Sequence, residues 1–263
     1  MAGAAEYGVF GGSGFYSLLE SVEEIEIDTP YGAPSGPVAI GRIDGRNVAF
    51  IPRHGIDHRF PAHSIPYRAN VWAMKELGVS RLFGPCAAGS LQPHIKPGDF
   101  VVSDQLVDRT SGRAYTFYDG PDATHISFAD PYCPEMRGAI VASARESDIE
   151  VHDRGTVVVV EGPRFSTRAE SGWYSAQGWE VVNMTQCPEA ALARELEMCY
   201  ANISLITDYD IGVEGVEPVT GAEVIRVFGQ NNAKLRDLLF DVIPKLSPTG
   251  DCSCRTALDG ARF

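Results

Sequence analysis

Short apolar runs that alternate with turns containing glycine and proline predict an α/β fold for this chain. The run at 156–160, TVVVV, is rich in β-branched residues and is typical of a buried strand. Two more strands are predicted at 179–182 and 201–207. Polar residues follow all three strands: Arg164 to Thr167, Asn183 to Thr185, and Asp208 with Asp210. Because open parallel sheets bind ligands at the carboxyl ends of their strands, we expect these residues to meet at one sheet edge.

The same alternation continues through the rest of the chain. Further strands are predicted at 7–10, 23–27, 38–43, 48–51, 80–84 and 98–102, with 105–109 as a continuation of the last. Helices are predicted at 67–77, 136–147 and 219–246, with one more entered through 164–167 and another opened by Pro188-Glu189. The strands at 23–27, 38–43 and 48–51 are expected to be antiparallel. A long loop at 112–134 and the absence of a linker or repeat complete the prediction of a single domain, 1–263.

Charge and hydrophobicity exclude several functional classes. The chain of 263 residues has a net charge of −13, which disfavours a nucleic-acid surface. It contains no run of about 18 apolar residues, so no membrane span is predicted. Its first ten residues lack the basic and apolar regions of a signal peptide, and we expect a cytoplasmic protein.

The six cysteines are interpreted as structural and not as metal ligands. Cys86, Cys133, Cys187 and Cys199 lie in apolar or loop contexts, as small buried residues do. Cys252 and Cys254 form a C-x-C pair, for which a local disulfide and two free thiols are equally compatible. A zinc site would need a second Cys or His pair nearby, and the sequence shows none. No metal is assigned.

Glycine-rich segments at two strand ends are compatible with anion binding. Gly11-Gly12-Ser13-Gly14 follows the first strand and precedes a helical segment, an arrangement that lets backbone N–H groups approach a phosphate. A dinucleotide-binding turn or a plain turn gives the same pattern, but the third glycine of the dinucleotide motif is missing. Residues 85–90, PCAAGS, are small enough for a ligand to lie against the backbone, although on this evidence alone a simple turn is the first interpretation.

A set of motifs that runs through nearly the whole chain resembles one enzyme family. The motifs are GGSGFY, DTPYGAPSGP, PRHGIDH, IPYRANVWAMKELG, CAAGSL, IKPGDFVVSDQLVDRTSGR, VEGPRFSTRAES, VNMTQCPEAALARE and TDYD. Together they are similar to the trimeric purine nucleoside phosphorylase and methylthioadenosine phosphorylase family, and most similar to its methylthioadenosine branch. EGPRFSTRAE with NMT-x-x-PE is the most specific part.

The resemblance implies a fold, an assembly and a reaction. The fold is a mixed, partly barrel-like central sheet flanked by helices, and the assembly is a homotrimer with active sites near the subunit interfaces. The reaction is phosphorolysis of S-methyl-5'-thioadenosine to adenine and 5-methylthioribose 1-phosphate, in methionine or purine salvage. No metal or organic cofactor is expected. Inorganic phosphate is a co-substrate.

The resemblance also implies a phosphate-binding set. Its members are Gly12, Ser13, Arg53, His54, Cys86, Ala87 and Thr185. Arginine presents two N–H groups to phosphate oxygens, and His54 is expected to donate a further hydrogen bond. Many relatives have Thr or Ser at the position of Cys86, and a thiol is a weak donor. Either phosphate affinity is lower here or the backbone supplies that contact.

Ribose and base are expected to contact a second set. It consists of Met184 at the ribose and Ala88, Gly89, Phe165, Ser166, Val182 and Asn183 around the base. Asp208 and Asp210 are the predicted catalytic residues. A buried carboxylic acid has a raised pKa and can protonate the departing purine. Family members that prefer 6-oxopurines have Asn at the first of these positions, so Asp208 favours adenine.

The expected 5' pocket lies at the start of the last helix. Val224 and Ile225 suit a thioether, and Gly221 leaves more room than the valine common in relatives, so other 5' substituents stay open. His125 is expected to reach a neighbouring subunit's site, with Leu258 a weaker candidate of the same kind. Residues 211–218 are expected to form a lid.

Other functions compete with this interpretation. A phosphorylase for methylthioinosine or for ordinary purine nucleosides is the nearest alternative, followed by one for another 5'-substituted adenosine. A nucleoside-binding protein without catalysis would bind ligand without phosphate-dependent turnover. A dinucleotide-dependent oxidoreductase fits least, given the broken glycine motif.

Overall fold

The computed structural model describes residues 4–11, 20–210 and 219–262. Gly12, Ser13 and the predicted lid at 211–218 lie outside the described residues. Within them the chain forms a six-stranded and a seven-stranded mixed sheet flanked by helices, which confirms the predicted mixed α/β class. Where one central sheet was expected, the described residues form two.

The strands and helices follow one another as the alternating pattern predicts. In chain order the strands are β1 (Tyr7–Gly11), β2 (Glu20–Ile25), β3 (Val38–Ile43), β4 (Arg46–Pro52), β5 (Arg81–Phe83), β6 (Cys86–Ser90), β7 (Phe100–Val101), β8 (Gln105–Arg109), β9 (Val151–His152), β10 (Thr156–Val160), β11 (Val181–Asn183), β12 (Cys199–Ala201) and β13 (Ser204–Asp208). The α-helices are α1 (Tyr67–Glu76), α2 (Pro134–Glu146), α3 (Arg168–Ala176), α4 (Gln186–Glu195) and α5 (Gly221–Lys245). No helix among these is long and apolar enough to cross a membrane.

The six-stranded sheet is packed between two layers of helices. Its order is β12-β5-β1-β4-β3-β2, with β2, β3 and β4 antiparallel as predicted. Neighbouring residues of β1 face opposite sides, as the two-residue period of a strand requires. Phe10 packs into a core with residues of α1 and α4, and Val9 packs into a second core with residues of α2 and α5. The sheet is therefore apolar on both faces.

The chain passes from the six-stranded to the seven-stranded sheet at two places that the sequence did not reveal. The predicted strand at 80–84 ends at Phe83, and the small residues after it form β6 in the seven-stranded sheet instead of a turn. The predicted strand at 201–207 likewise divides into β12 and β13. Asn202 lies at the second break, and its Nδ2 donates to Gly84 O at 2.6 Å. This hydrogen bond connects the two places where the chain passes from one sheet to the other. The prediction ended the first strand at Gly84 but expected a turn after it, and it continued the second strand through Asn202, because one polar residue does not end a strand pattern.

The seven-stranded sheet corrects two further predictions. Its order is β8-β10-β11-β6-β13-β7-β9, so β8 lies at one edge and does not continue β7. The chain turns between them, and Asp104 Oδ1 accepts from Gly155 N at 2.9 Å. Strand β11 is antiparallel to β6, whereas β6 is parallel to β13. Because β13 therefore runs opposite to β10 and β11, the three predicted strand ends do not meet at one sheet edge.

The cysteines near the C-terminus are not isolated, which corrects the sequence interpretation. The Sγ atoms of Cys133, Cys199, Cys252 and Cys254 all lie within 4.8 Å of one another. Cys133 precedes α2 and Cys199 begins β12, so residues far apart in sequence supply the second pair that the sequence did not reveal.

Candidate active site

A cavity of about 460 Å³ lies over the middle of the seven-stranded sheet. It brings together most of the site residues predicted from the sequence. These are Arg53, His54, Cys86, Ala87, Ala88, Gly89, Phe165, Ser166, Val182, Asn183, Met184, Thr185, Asp208, Asp210, Val224 and Ile225. The predicted set therefore forms one continuous surface, even though its strands do not end at one edge.

Strand β6 is the axis of this site. Its neighbours place Val182 and Asp208 beside Gly89, while Ser204 pairs with Cys86 at the other end. Pro85 precedes β6 and accepts from Arg53 through its carbonyl oxygen at 2.8 Å. Four residues of strand span about 13 Å, so Arg53 and Asp208 lie at opposite ends of the cavity.

At one end, a buried ion pair fixes the Arg53 guanidinium. Its Nε and Nη2 both donate to the Glu189 carboxylate, the latter at 3.0 Å, in a bidentate arrangement. Tyr200 Oη also donates to Glu189 Oε2 at 2.9 Å. Burial alone lowers the pKa of Arg53, but the adjacent Glu189 charge offsets this and raises the pKa above its usual value. Arg53 is therefore a permanent cation of fixed orientation.

His54 beside it is neutral, which changes its expected role. Burial lowers its pKa to about 4. Its Nδ1 lies 2.9 Å from Phe60 O, and because a carbonyl only accepts, Nδ1 carries the proton. The other ring nitrogen of the neutral imidazole is an acceptor, so it suits a protonated phosphate oxygen instead of donating as the sequence analysis expected.

Thr185 and Cys86 complete this end of the cavity in different ways. Thr185 Oγ1 is buried and has no hydrogen-bond partner among the described residues, as expected of a group that meets a ligand. The Cys86 N–H donates to Ile203 O at 3.0 Å, so it is not free for the backbone contact considered above. Its Sγ accepts from Asn183 Nδ2 at 3.2 Å and Asn202 Nδ2 at 3.3 Å.

At the other end, Asp208 is surrounded by neutral donors. Thr207 Oγ1 donates to its Oδ2 and the Asp210 N–H to its Oδ1, both at 2.7 Å. Burial raises the pKa of Asp208, and the nearby Asp210 carboxylate adds to the rise, while these two hydrogen bonds oppose it. The result is a carboxyl group with an increased tendency to hold a proton.

Asp210 and Ser166 lie on the same side of the cavity. Asp210 adopts the left-handed conformation with a φ of 49°, and Ser171 Oγ of α3 donates to its Oδ2. Ser166 Oγ is buried without a hydrogen-bond partner among the described residues. It is thus a second polar atom positioned for a ligand.

The wall between the two ends is apolar and depends on a close contact at Gly162. Met184, Val182 and the half-exposed ring of Phe165 line this part. Gly162 has a φ of 70°, and a Cβ there would lie 2.7 Å from Met184 Sδ. Only glycine leaves Met184 in place against the turn that precedes α3.

Arg113, in the long loop, holds two strand ends together. Its Nη1 donates to Met184 O at 2.8 Å and to Cys187 O at 2.6 Å. Its Nη2 donates to Glu161 O at 2.6 Å, and its Nε to Glu161 Oε2 at 3.0 Å. The side chain is almost completely buried. Arg113 therefore fixes the segments after β10 and β11 relative to each other.

One face of α5 covers the remaining side. Val224, Ile225, Phe228, Gly229 and Asn232 recur at helical spacing and line the cavity. Asn232 Oδ1 is buried and has no hydrogen-bond partner among the described residues. This face is therefore apolar near the start of the helix and presents one amide further along.

Three predicted residues do not line the cavity. Gly221 begins α5, and Leu258 donates its N–H to Glu197 Oε1 at 3.2 Å. His125 lies in the long loop, where its N–H donates to Ala261 O at 2.8 Å. Gly221 was expected in the 5' pocket and does not line the cavity among the described residues. The reach of His125 and Leu258 into a neighbouring subunit's site stays a prediction.

Sequence reasoning missed Glu189, Arg113 and Asn232. The first two stand inside motifs that the family resemblance uses, PE and TSGR, but their roles depend on contacts 136 and 71 residues apart. Asn232 follows Ile225 by two helical turns, and extending the period of the helix face would have found it.

The sequence of this chain is similar to those of known proteins over almost its whole length. The model of the phosphorylase superfamily matches residues 6–244. A purine nucleoside phosphorylase of Streptomyces coelicolor is 53% identical, with 97% of this chain and 95% of the relative aligned. An S-methyl-5'-thioadenosine phosphorylase of Thermofilum pendens is 52% identical, with 97% of each chain aligned.

A solved structure extends the agreement to three dimensions. A methylthioadenosine phosphorylase from an antarctic soil metagenomic library superposes with a TM-score of 0.94 at 37% identity, covering 99% of this chain and 93% of that one. The matched family model spans both sheets and nearly all of α5, and thus every described segment that lines the cavity. The chain belongs to the phosphorylase superfamily.

Proposed function

We propose that this protein is a pentosyltransferase that cleaves S-methyl-5'-thioadenosine with inorganic phosphate, releasing adenine and 5-methylthioribose 1-phosphate. The arrangement along β6 supports this most strongly. A fixed cation, Arg53, lies at one end of the cavity and a proton-holding carboxyl, Asp208, at the other. The reaction needs an anion site and an acid on opposite sides of the scissile bond. The relatives named above include a methylthioadenosine phosphorylase.

The phosphate end supplies the nucleophile. Hydrogen bonds to Glu189 and to the Pro85 carbonyl hold Arg53 in place. Thr185 Oγ1 has no hydrogen-bond partner among the described residues and is proposed to bind phosphate. Gly12 and Ser13 are proposed to add backbone and hydroxyl donors. A phosphate oxygen then attacks C1' while the C1'–N9 bond breaks and its electrons move to the purine. Phosphate also stabilises the positive charge that develops on the sugar.

The base end accepts the leaving group. Asp208 donates its proton to N7 of the departing adenine. This proton neutralises the negative charge that the purine gains when the C1'–N9 bond breaks. Its other oxygen accepts from the 6-amino group. A 6-oxopurine would place an acceptor there, and an unmatched buried pair costs about 1–3 kcal/mol, or roughly ten- to a hundred-fold in selectivity.

The 5' substituent is proposed to pack against the start of α5. Val224, Ile225 and Phe228 form an apolar surface that suits a methylthio group. The buried Asn232 Oδ1 is the observation that favours a second candidate, a purine nucleoside phosphorylase acting on 5'-hydroxyl substrates. The 53% identical Streptomyces coelicolor relative bears that name.

We also propose a cytoplasmic homotrimer that acts in methionine or purine salvage without a catalytic cofactor. His125 supports the assembly, because it does not line the cavity of its own chain and yet matches a substrate-binding position of the family. Analytical ultracentrifugation is expected to show a trimer. A fully active monomer would contradict this arrangement.

Product analysis tests the proposed reaction. Methylthioadenosine is incubated with the protein in phosphate buffer and in a phosphate-free buffer of equal ionic strength, and both products are measured by chromatography. Adenine and 5-methylthioribose 1-phosphate are expected in equal amounts, and only with phosphate. Adenine release at the same rate without phosphate would indicate a hydrolase. Nucleoside binding without any release would indicate a binding protein.

A further inference from the structure

We propose that Cys133, Cys199, Cys252 and Cys254 bind a structural zinc ion. Their four Sγ atoms lie within 4.8 Å of one another. Cys252 Sγ is 3.3 Å from Cys199 Sγ and 3.7 Å from Cys133 Sγ. None of the four residues lines the cavity over β6, so this site is separate from the proposed catalysis.

The spacing fits tetrahedral coordination by thiolates. With a Zn–S bond of about 2.3 Å, the sulfurs of a tetrahedral site lie about 3.8 Å apart. A disulfide instead joins two sulfurs at about 2.05 Å and arranges four cysteines as two separate pairs. Here the Cys252 sulfur is close to two other sulfurs at similar distances, both longer than a disulfide bond. Four mutually close thiols in this arrangement favour zinc among the common metals.

A buried arginine places positive charge beside two of the sulfurs and shares it with Glu135. Four thiolates around Zn²⁺ carry a net charge of −2, which is unfavourable in a protein interior without a counter-charge. Arg81 Nη1 lies 3.6 Å from Cys133 Sγ and 3.6 Å from Cys199 Sγ. Its Nη2 donates to Glu135 Oε2 at 2.6 Å and its Nε to Ser247 O at 2.9 Å, which orients the guanidinium toward the sulfurs. These bonds hold the Arg81 guanidinium where it can donate to two of the thiolates that would bind the metal.

Three separate parts of the chain would be joined by the ion. Cys133 precedes α2, Cys199 begins β12, and the C-x-C pair lies in the segment after α5. That segment continues to Ala261, whose carbonyl accepts from the N–H of His125. Zinc would therefore fix the C-terminal segment against the sheet and, through it, the loop that carries His125.

Metal analysis of the full-length protein tests the proposal. The protein is purified under reducing conditions without chelator and analysed by mass spectrometry for metals. About one zinc ion per chain is expected, falling to background in a Cys252→Ser/Cys254→Ser variant. Cys187→Ser is the matched control, because Cys187 is buried but lies outside the cluster, and it is expected to keep its zinc. Iron in place of zinc, or equal loss from the control, would overturn the proposal.

A second measurement does not depend on the variants folding. Protein purified without reductant is denatured in a chelator, and non-reducing intact-mass analysis is expected to show six free thiols. Two disulfides, or six free thiols in a wild-type protein without metal, would overturn the proposal. Chelation of the native protein is also expected to lower its melting temperature by several degrees, since zinc binds only the folded state. Unchanged melting after the zinc has been removed would contradict its structural role.

Discussion

Arg53 and Asp208 show how burial can favour opposite charge states in one cavity. Arg53 is paired with the Glu189 carboxylate, so its positive charge is retained despite desolvation. Asp208 accepts from the neutral donors Thr207 Oγ1 and the Asp210 N–H, and burial raises its pKa. The identity of the neighbouring group thus decides which residue binds the anion and which holds a proton.

Glu189→Gln tests whether the ion pair orients Arg53 for phosphate. The amide keeps the volume of the side chain but leaves the buried guanidinium without its counter-charge, at a stability cost of about 3–5 kcal/mol. Because Glu189 then no longer holds the Arg53 guanidinium in the orientation that binds phosphate, we expect the KM for phosphate to rise at least about ten-fold. The KM for the nucleoside should change little. Initial rates over a matrix of both substrate concentrations separate the two constants.

Glu146→Gln is the control for this substitution. Glu146 pairs with Lys245 on the surface and is mostly exposed, so the same chemical change should affect neither constant. An equal rise of both KM values in Glu189→Gln would indicate general damage to the cavity and contradict a specific role at the phosphate end.

Gly162→Ala tests the contact that places Met184. The new methyl group would lie 2.7 Å from Met184 Sδ in a residue whose φ is 70°. We expect the KM for the nucleoside to rise several-fold, because Met184 must move, in addition to about 1–2 kcal/mol of backbone strain. Gly178→Ala has a similar φ, 80°, with nothing within 4 Å of the added methyl. It should lose similar stability in thermal unfolding but keep its KM. Equal KM values in the two variants would remove Met184 from its proposed role.

The sequence predicted the residues that line the cavity better than the residues that hold them in position. Arg53, Met184 and Asp208 belong to family motifs, and all three line the cavity. Glu189 supports Arg53 from a position 136 residues away, and such pairing depends on which strands become neighbours. The charge state of His54 was also out of reach, because its bond to Phe60 O and its burial are properties of the folded chain.

Among the secondary-structure elements, the direction of β6 decides how the site is built. Because β6 is antiparallel to β11 and parallel to β13, Thr185 and Asp208 fall toward opposite ends of it. A fully parallel sheet would have placed both groups at one edge. The sequence predicted β11 and β13 as strands but expected a turn at β6. It also did not reveal this direction, since an antiparallel neighbour leaves no mark in the hydrophobic pattern of a doubly buried strand.

The long loop contributes a structural arginine to these elements. Arg113→Lys keeps the positive charge but cannot reach the carbonyls of Met184, Cys187 and Glu161 together. Loss of these buried hydrogen bonds is expected to destabilise the protein by about 2–4 kcal/mol and to reduce kcat/KM at least about ten-fold. Thermal unfolding and steady-state kinetics measure the two effects.

Arg109→Lys provides the comparison for Arg113→Lys. Arg109 ends β8 and is exposed, with its guanidinium 5.1 Å from the centre of the Trp173 ring. We expect a change within about 0.5 kcal/mol and unchanged kinetics. An Arg113→Lys variant as stable and active as Arg109→Lys would show that the loop does not fix the strand ends.

For the molecule as a whole, a net charge of −13 coexists with a proposed anion site. The structure resolves this locally: the Arg53 charge is buried and oriented by Glu189, and neutral hydrogen-bonding groups surround it. Composition therefore disfavours an extended basic surface but carries no information about a single-anion site. The fold class followed from the alternating apolar runs. The division into two sheets depended on breaks near Gly84 and Asn202, and the sequence does not show that the chain changes sheet at these residues.

The central claim is that Asp208 selects the base and the start of α5 selects the 5' group. Phosphate-dependent base release from methylthioadenosine, methylthioinosine, adenosine and inosine, measured in parallel as kcat/KM, tests both parts. We predict that methylthioadenosine is preferred over methylthioinosine by roughly ten- to a hundred-fold, and that this preference is lost in Asp208→Asn. A wild-type preference for the inosine pair, or an unchanged base preference in the variant, would contradict the role of Asp208. Equal use of adenosine and methylthioadenosine would contradict the apolar 5' pocket and favour the role of Asn232.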